Sequence, residues 1–228
     1  VREFENGMTP YDVAKSFGGG FFKTVCAAKI NQENADLRTE LRDGDSLELL
    51  TFEDEYGRWT YRHTASHILA QAVKRLFPEA KLAIGPAIDN GFYYDIDTDV
   101  VIDDAMIEKL EKEMKEIAKK DLALSRFDLP KAEALARYTD NEFKTELINE
   151  LPEDAVISFY QQGEEFCDLC AGPHLMTTGK IGAFKIMSVA GAYWRGKSEN
   201  KMLKRVYAIS FPKAKQLEEY LNLLEEAK

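Results

Sequence analysis

Apolar positions along this chain recur with two different periods, and the changes between them outline its elements. Placing successive residues about 100° apart over Thr60 to Phe77 groups Ala65, Ile68, Leu69, Ala72, Val73 and Leu76 on one face. His63, His67 and Lys74 fall on the opposite face. The spacing predicts an amphipathic helix whose two histidines point away from its main apolar seam. A second helix is predicted from Asp103 to Lys120, with an apolar row at Met106, Ile107, Leu110, Met114 and Ile117 and a solvated face of alternating Glu and Lys. A last one, from Lys213 to Lys228, places Leu217, Tyr220, Leu221 and Leu224 on one side. Period-two alternation follows the turn Asp89-Asn-Gly, so that Phe92, Tyr94 and Ile96 share one strand face. Further strands are predicted at Ala155 to Gln161, Gly182 to Val189 and Met202 to Phe211. Strands and helices do not alternate regularly enough for a wound parallel sheet, and the class is α+β.

The first residues form a pattern of their own. Arg2-Glu-Phe-Glu reads as a short strand, Thr9-Pro-Tyr-Asp as a capped helix start with Pro at the first helical position, and Gly18-Gly-Gly as its end. Strand-like runs follow at Thr24 to Ile30 and Ser46 to Thr51, with the polar turn Arg42-Asp-Gly-Asp before the second. Strand, helix, then strands suggests a ubiquitin-like β-grasp unit over residues 1–52. That fold begins with a hairpin, so its first strand is expected to lie ahead of Val1. The acidic stretch Glu53-Asp-Glu-Tyr-Gly is the expected boundary with a larger α+β unit over residues 53–228.

Composition narrows the classes. With 45% apolar and 31% charged residues in 228, the chain is an ordinary globular one. No apolar run approaches the roughly 18 residues of a membrane span, and the opening residues carry no signal-peptide core. Three cysteines, an odd number with Cys26 in an ordinary apolar stretch, do not make a disulfide framework, and a reducing, cytoplasmic setting is expected. A formal charge of −10 argues against a surface coated with basic groups, so nucleic acid would need a local patch. One candidate is Arg195 to Arg205, with five Lys/Arg against one acid and Tyr193, Trp194 and Tyr207 alongside. The alternative is a charged edge strand.

All three histidines and two of the three cysteines sit in two places, His63-Thr-Ala-Ser-His67 and Cys167-Asp-Leu-Cys-Ala-Gly-Pro-His174. His63 and His67, four apart on a helix, can bind a metal jointly or divide acid and base roles. Cys170 and His174 add a thiol and a third imidazole on a Gly-Pro segment that reads as a rigid loop near a strand end. Together the four make a donor set that zinc accepts, or a metal-free cluster of proton carriers, and the sequence leaves both open. Cys167 reads as a packing residue, because a redox Cys-x-x-Cys would begin a helix in a βαβ pattern. On their own, Lys144, Asp168 and Tyr94 read as a surface lysine, a loop acid and a core aromatic.

Four ordered stretches resemble the amino-terminal region of the threonyl-tRNA synthetases. They are His63-x-x-x-His67, Ala83-Ile-Gly-Pro-x-Ile-Asp-Asn-Gly-Phe-Tyr-Tyr-Asp95, Asp168-x-Cys-x-Gly-Pro-His174 and Ala190-Gly-Ala-Tyr-Trp-Arg-Gly-x-Ser-x-Asn-Lys-Met-Leu203. Alanyl-tRNA editing domains share the His and Cys pattern, whereas Gly-Phe-Tyr-Tyr-Asp and Ala-Tyr-Trp-Arg-Gly point to the threonyl branch. The resemblance implies a TGS domain of β-grasp type followed by an editing domain that hydrolyses mischarged seryl-tRNA(Thr), with tRNA(Thr) as partner and no ligase activity in these residues. The full-length enzyme is expected to dimerise through a core this sequence does not contain. By resemblance, His63, Lys144, Cys170 and His174 lie closest to the chemistry. His67, Tyr94 and Asp168 orient them or contact the seryl-adenosine end. Lys144 is placed by order alone. Ala171 departs from the family, which often has a basic residue there. A non-catalytic tRNA-binding module with structural zinc and an autonomous trans-editing factor are the other readings.

Overall fold

A computed structural model describes residues 1–228 as three antiparallel sheets linked and covered by helices. The amino-terminal part begins with helix α1 (Pro10–Phe17). Thr9 starts it with reciprocal bonds: its hydroxyl accepts from Asp12 N at 3.2 Å, and Asp12 accepts from Thr9 N at 3.0 Å. Gly18 closes α1 in the left-handed region, but the following residues continue as α2 (Gly19–Thr24), which brings Phe22 to 5.4 Å from Tyr11. The glycine run is thus a junction between two helices where an end was expected. Strands β1 (Val25–Ile30), β2 (Glu33–Ala35) and β3 (Leu47–Thr51) form a sheet in the order β2-β1-β3, and Ala14, Val25, Ala28 and Leu37 make its small core. The strand expected at Arg2–Glu5 is absent. Its one apolar residue, Phe4, is exposed and gives that stretch no buried face to pair with.

Helix α3 (Glu55–Leu76) starts five residues earlier than its apolar period predicts. The acidic stretch after β3 is its first turn, with Asp54 at the cap position and accepting from Thr51 N at 2.8 Å. Gly57 allows this close start, since a Cβ there would lie 2.0 Å from the Thr51 carbonyl oxygen. Thr60 through Val73 are buried without a break. The face carrying His63 and His67, expected to avoid the main seam, is therefore covered as fully as the apolar one. The helix is central, and a periodicity argument built for a half-buried helix misses its second cover.

One cover is the sheet β10-β11-β6-β4, made of β4 (Lys81–Leu82), β5 (Ala87–Ile88, paired to β6), β6 (Gly91–Asp97), and, later in the chain, β10 (Ala183–Tyr193) and β11 (Met202–Phe211). Phe92, Tyr94 and Ile96 alternate into the core as their spacing predicts. Helix α4 (Asp104–Lys119) is capped by Asp103 and packs Leu110, Met114 and Ile117 into the same core. The other cover contains β7 (Leu124–Pro130), α5 (Lys131–Ala136), α6 (Glu142–Asn149), β8 (Val156–Gln162) and β9 (Phe166–Leu169). Its sheet order is β7-β8-β9, over a small core of Ala134, Ile148, Ile157 and Phe159. Helix α7 (Ala214–Glu226) ends the chain with Tyr220 against Phe211 at 5.4 Å. Every strand pair is antiparallel, in keeping with an α+β chain. No helix is long and apolar enough to cross a membrane.

Candidate active site

Two elements bring the rare side chains together. Helix α3 carries His63 and His67, and the loop after β9 carries Cys170 and His174. That loop passes through Gly172 in the left-handed region, where a Cβ would lie 2.2 Å from the Tyr160 hydroxyl. Cys170 Sγ stands 3.3 Å from His63 Nε2 and 3.2 Å from His174 Nε2. The His63 and His174 rings stack at 4.1 Å, and His67 lies 4.1 Å from His174 on the other side.

Two of the three rings are held by their outer nitrogens. The Pro173 carbonyl can only accept, so His63 donates from Nδ1 over 3.1 Å and its Nε2 faces Cys170 as an acceptor. His174 Nδ1 shares a hydrogen bond of 3.0 Å with the Thr64 hydroxyl, which also accepts from Leu175 N at 2.9 Å. His67 Nδ1 is buried without a partner.

Beside the imidazoles lies a second constellation. Helix α6 is started by Asn141, whose side chain accepts from Phe143 N and Lys144 N and donates to the Leu82 carbonyl at 2.9 Å. This aims Lys144 inward. Its ammonium meets Asp168 Oδ1 at 2.9 Å and the Tyr94 hydroxyl at 3.2 Å, while Tyr94 donates to Asp168 Oδ2 at 2.5 Å. His67 Nε2 is 3.9 Å from the same carboxylate. Lys144, a surface lysine on local reading, is 3% exposed. Strand alternation sends Asp168 into this site and Cys167 toward the β7-β8-β9 core, which is the packing role expected of Cys167.

His63, His67 and Cys170 of the first constellation and all three members of the second border a cavity of about 330 Å³ whose wall also includes Trp59, Gly85 and Leu147, while His174 is buried behind it. Trp59, 4.8 Å from the His63 ring, is a lining residue that the sequence reading does not single out, as are Leu147 and Leu169. The place of Trp59 one turn before His63 was the available signal.

Burial sets the charges. It pushes His63 down to about 4 and His67 to about 3, and takes His174 well below the usual imidazole range, so all three are neutral bases near pH 7. Burial raises the Cys170 thiol to about 12, which leaves it a thiol and a weak nucleophile. Burial opposes ionisation of Asp168 too, but Lys144, His67 and the Tyr94 hydroxyl outweigh it and hold its pKa below the ordinary carboxylate value. Tyr94, buried beside Asp168, is driven well above the phenol range. The site can therefore accept protons from a substrate or a water on imidazoles and offer one fixed cation to a developing negative charge.

His63, His67, Cys170 and His174 also place four donor atoms within 4.8 Å of one another. Three nitrogens and a sulfur suit zinc, and outer hydrogen bonds to Pro173 and Thr64 orient two of the rings as ligands require.

The basic stretch at the β10–β11 end is committed elsewhere. Arg195 pairs with Glu146 and Glu150, Lys201 with Asp97 and Arg205 with Asp95, Lys204 bonds the Val100 carbonyl, and Trp194 is buried with its Nε1 on Glu146. Four of the five cations seen in the sequence are held by partners within the chain, which supports the charged-strand alternative over the nucleic-acid patch.

Comparison with known proteins gives two family matches. Residues 1–51 match the TGS domain, and residues 157–207 match the threonyl and alanyl tRNA synthetase second additional domain. Over its whole length the chain is 58% identical to a threonine–tRNA ligase of Clostridium acetobutylicum, 57% to one of Clostridium tetani and 55% to one of Clostridium botulinum strain Kyoto. It spans 36% of each, about a third of their length.

Proposed function

We propose that this chain, the amino-terminal region of a threonyl-tRNA synthetase by its similarity, is an editing hydrolase that removes serine from seryl-tRNA(Thr). The observation carrying this is the convergence of two neutral imidazoles, His63 and His67, the Cys170 thiol and the Lys144–Asp168–Tyr94 group on one small cavity, with His174 buried directly behind them. Residues 1–52 are read as the TGS unit and residues 53–228 as the editing domain.

A synthetic pocket for threonine cannot strongly reject serine, because one buried methyl is worth only about 1–3 kcal/mol. A second site that admits serine and excludes the extra methyl restores accuracy. In the reaction water attacks the ester carbonyl carbon and the ester C–O bond breaks toward the terminal ribose. His63, with Nε2 as acceptor, handles the proton at the ribose hydroxyl, Lys144 or the cavity-lining His67 positions the water, and His174 holds Cys170 from behind. The Lys144 ammonium, fixed by Asp168 and Tyr94, stabilises the developing oxyanion. Cys170 as a thiol between His63 and His174 fits a positioning role better than a nucleophilic one.

Zinc fits the four donors, and when bound it would act as a Lewis acid or activate water. That cluster favours a second reading, a non-catalytic tRNA-binding module with structural zinc. Deacylation assays with seryl-tRNA(Thr), run with and without a zinc chelator alongside thermal melting, separate the two. Chelator-resistant hydrolysis supports metal-free editing. Loss of stability on chelation, with no hydrolysis in either state, supports the module.

A further inference from the structure

Arg38 lies in the loop after β2, outside the larger part that holds the site, yet its side chain reaches the loop that carries His174. Its Nη1 donates to the His174 carbonyl at 2.8 Å and its Nη2 to the Leu175 carbonyl at 2.7 Å. Nε and Nη2 both donate to the Leu124 carbonyl at 3.1 and 2.7 Å, and Nη1 also donates to Asp36 Oδ1 at 2.8 Å. All five N–H donors of the guanidinium are therefore used, four of them on backbone carbonyls more than 80 residues away. Such carbonyls would be costly to leave unpaired in a buried loop.

Asp36 extends the grip. Its second carboxylate oxygen accepts from the buried Tyr160 hydroxyl at 2.6 Å, and the Tyr160 ring lies 4.6 Å from the His174 imidazole at 67°. His174 is thus held on the side of α3 by Thr64, and from behind by a ring whose hydroxyl is tied to the amino-terminal part. The Asp36 and Arg38 contacts take part in no proton transfer. They fix where the imidazole stands.

We propose that Arg38, with Asp36, is a positioning residue of the hydrolytic site, through which the TGS unit sets the geometry of the His174 loop. Catalysis rests here on the editing reading above, but the brace itself does not. A lysine has three donors on a point-like head and cannot span four carbonyl contacts and a carboxylate as the planar fork does. Arg38→Lys keeps the charge and loses the fork, so it separates positioning from electrostatics.

The test uses the 228-residue chain with 15N-labelled histidine. In Arg38→Lys, the His174 ring nitrogen signals are expected to move. Single-turnover deacylation of seryl-tRNA(Thr) should slow roughly 10- to 100-fold, the scale set by sub-ångström misplacement of a reacting group, with little change in KM. Tyr160→Phe, which deletes only the hydroxyl on Asp36, should shift the same signals less. Arg42→Lys in the same unit should change neither signals nor rate. Unmoved His174 signals in both Arg38→Lys and Tyr160→Phe overturn the proposal, as does a fall in rate seen entirely in KM. If the wild-type chain fails to hydrolyse seryl-tRNA(Thr), the editing reading falls while the ring signals still decide the brace. If Arg38→Lys does not fold, Tyr160→Phe decides alone, by movement or stasis of the same signals.

Discussion

At the scale of single residues, the site is a set of groups whose charges are set by burial and fixed neighbours. Lys144 and Asp168 are each 3% exposed at the side chain and bonded to each other, so removing one leaves the other unpaired in a dry environment. Lys144→Met is expected to cost about 3–5 kcal/mol in urea unfolding, and Lys144→Met with Asp168→Leu to cost less than the single change. An equal or larger loss in the double variant would show that the pair stabilises the fold beyond mutual neutralisation. The residues of this site were unequally legible in the sequence. Three histidines and a cysteine gathered in two motifs stand out by rarity, whereas Lys144 could be placed only by its order in a resembling family. Arg38 carried no signal at all, since a loop arginine reaching carbonyls elsewhere in the chain has no spacing to betray it. Trp59 was hidden as one more aromatic in a helix, although it stands one turn from His63.

At the scale of elements, α3 organises the fold because it is buried on every side, and its start depends on close backbone approach. Gly57→Ala gains about 1 kcal/mol of helix propensity, but its Cβ would meet the Thr51 carbonyl oxygen at 2.0 Å. Overpacking of that kind costs about 1–3 kcal/mol, so the variant is expected to be less stable, by a lower midpoint in thermal or urea unfolding. A stabilised Gly57→Ala would mean that α3 does not begin against β3. Long periodic segments such as α4 and β11 were legible nearly to the residue, because many positions repeat the same period. The stretch from β7 to α6 carries no legible period. Its helices have six and eight residues, too short to establish a period, and its strand β7 buries only Leu124 fully. That stretch delivers Lys144, so the gap in the elements and the weakest site assignment have one cause.

At the scale of the whole molecule, three desolvated histidines tie stability to pH. In the unfolded chain each takes up a proton near pH 6.5. Folded, His63 does so only near 4, His67 near 3 and His174 lower than the usual range, so between these pH values the unfolded chain binds more protons. Stability is therefore complete above about pH 6.5 and falls as the solution is acidified, by up to about 1.4 kcal/mol per pH unit for each proton taken up. Asp168, lowered in the folded state, adds loss of the same sign once the pH drops through the carboxylate range. Urea midpoints measured from pH 8 to pH 4 check this, and His63→Ala should flatten the slope. A profile without slope between pH 6.5 and 4.5 would mean that the imidazoles are solvated.

The same packing brings the central helix α3, strand β6, helix α6 and the end of β9 around one cavity, and the central claim is that this cavity hydrolyses serine esters and spares threonine. The most direct measurement is the deacylation rate of seryl-tRNA(Thr) against threonyl-tRNA(Thr) by the chain and by a His63→Ala, His174→Ala double variant. The account predicts faster loss of serine than of threonine, and a fall of roughly 100-fold or more in the double variant, the scale of a lost acid–base catalyst. Equal hydrolysis of the two esters, or undiminished activity in the double variant, would contradict it.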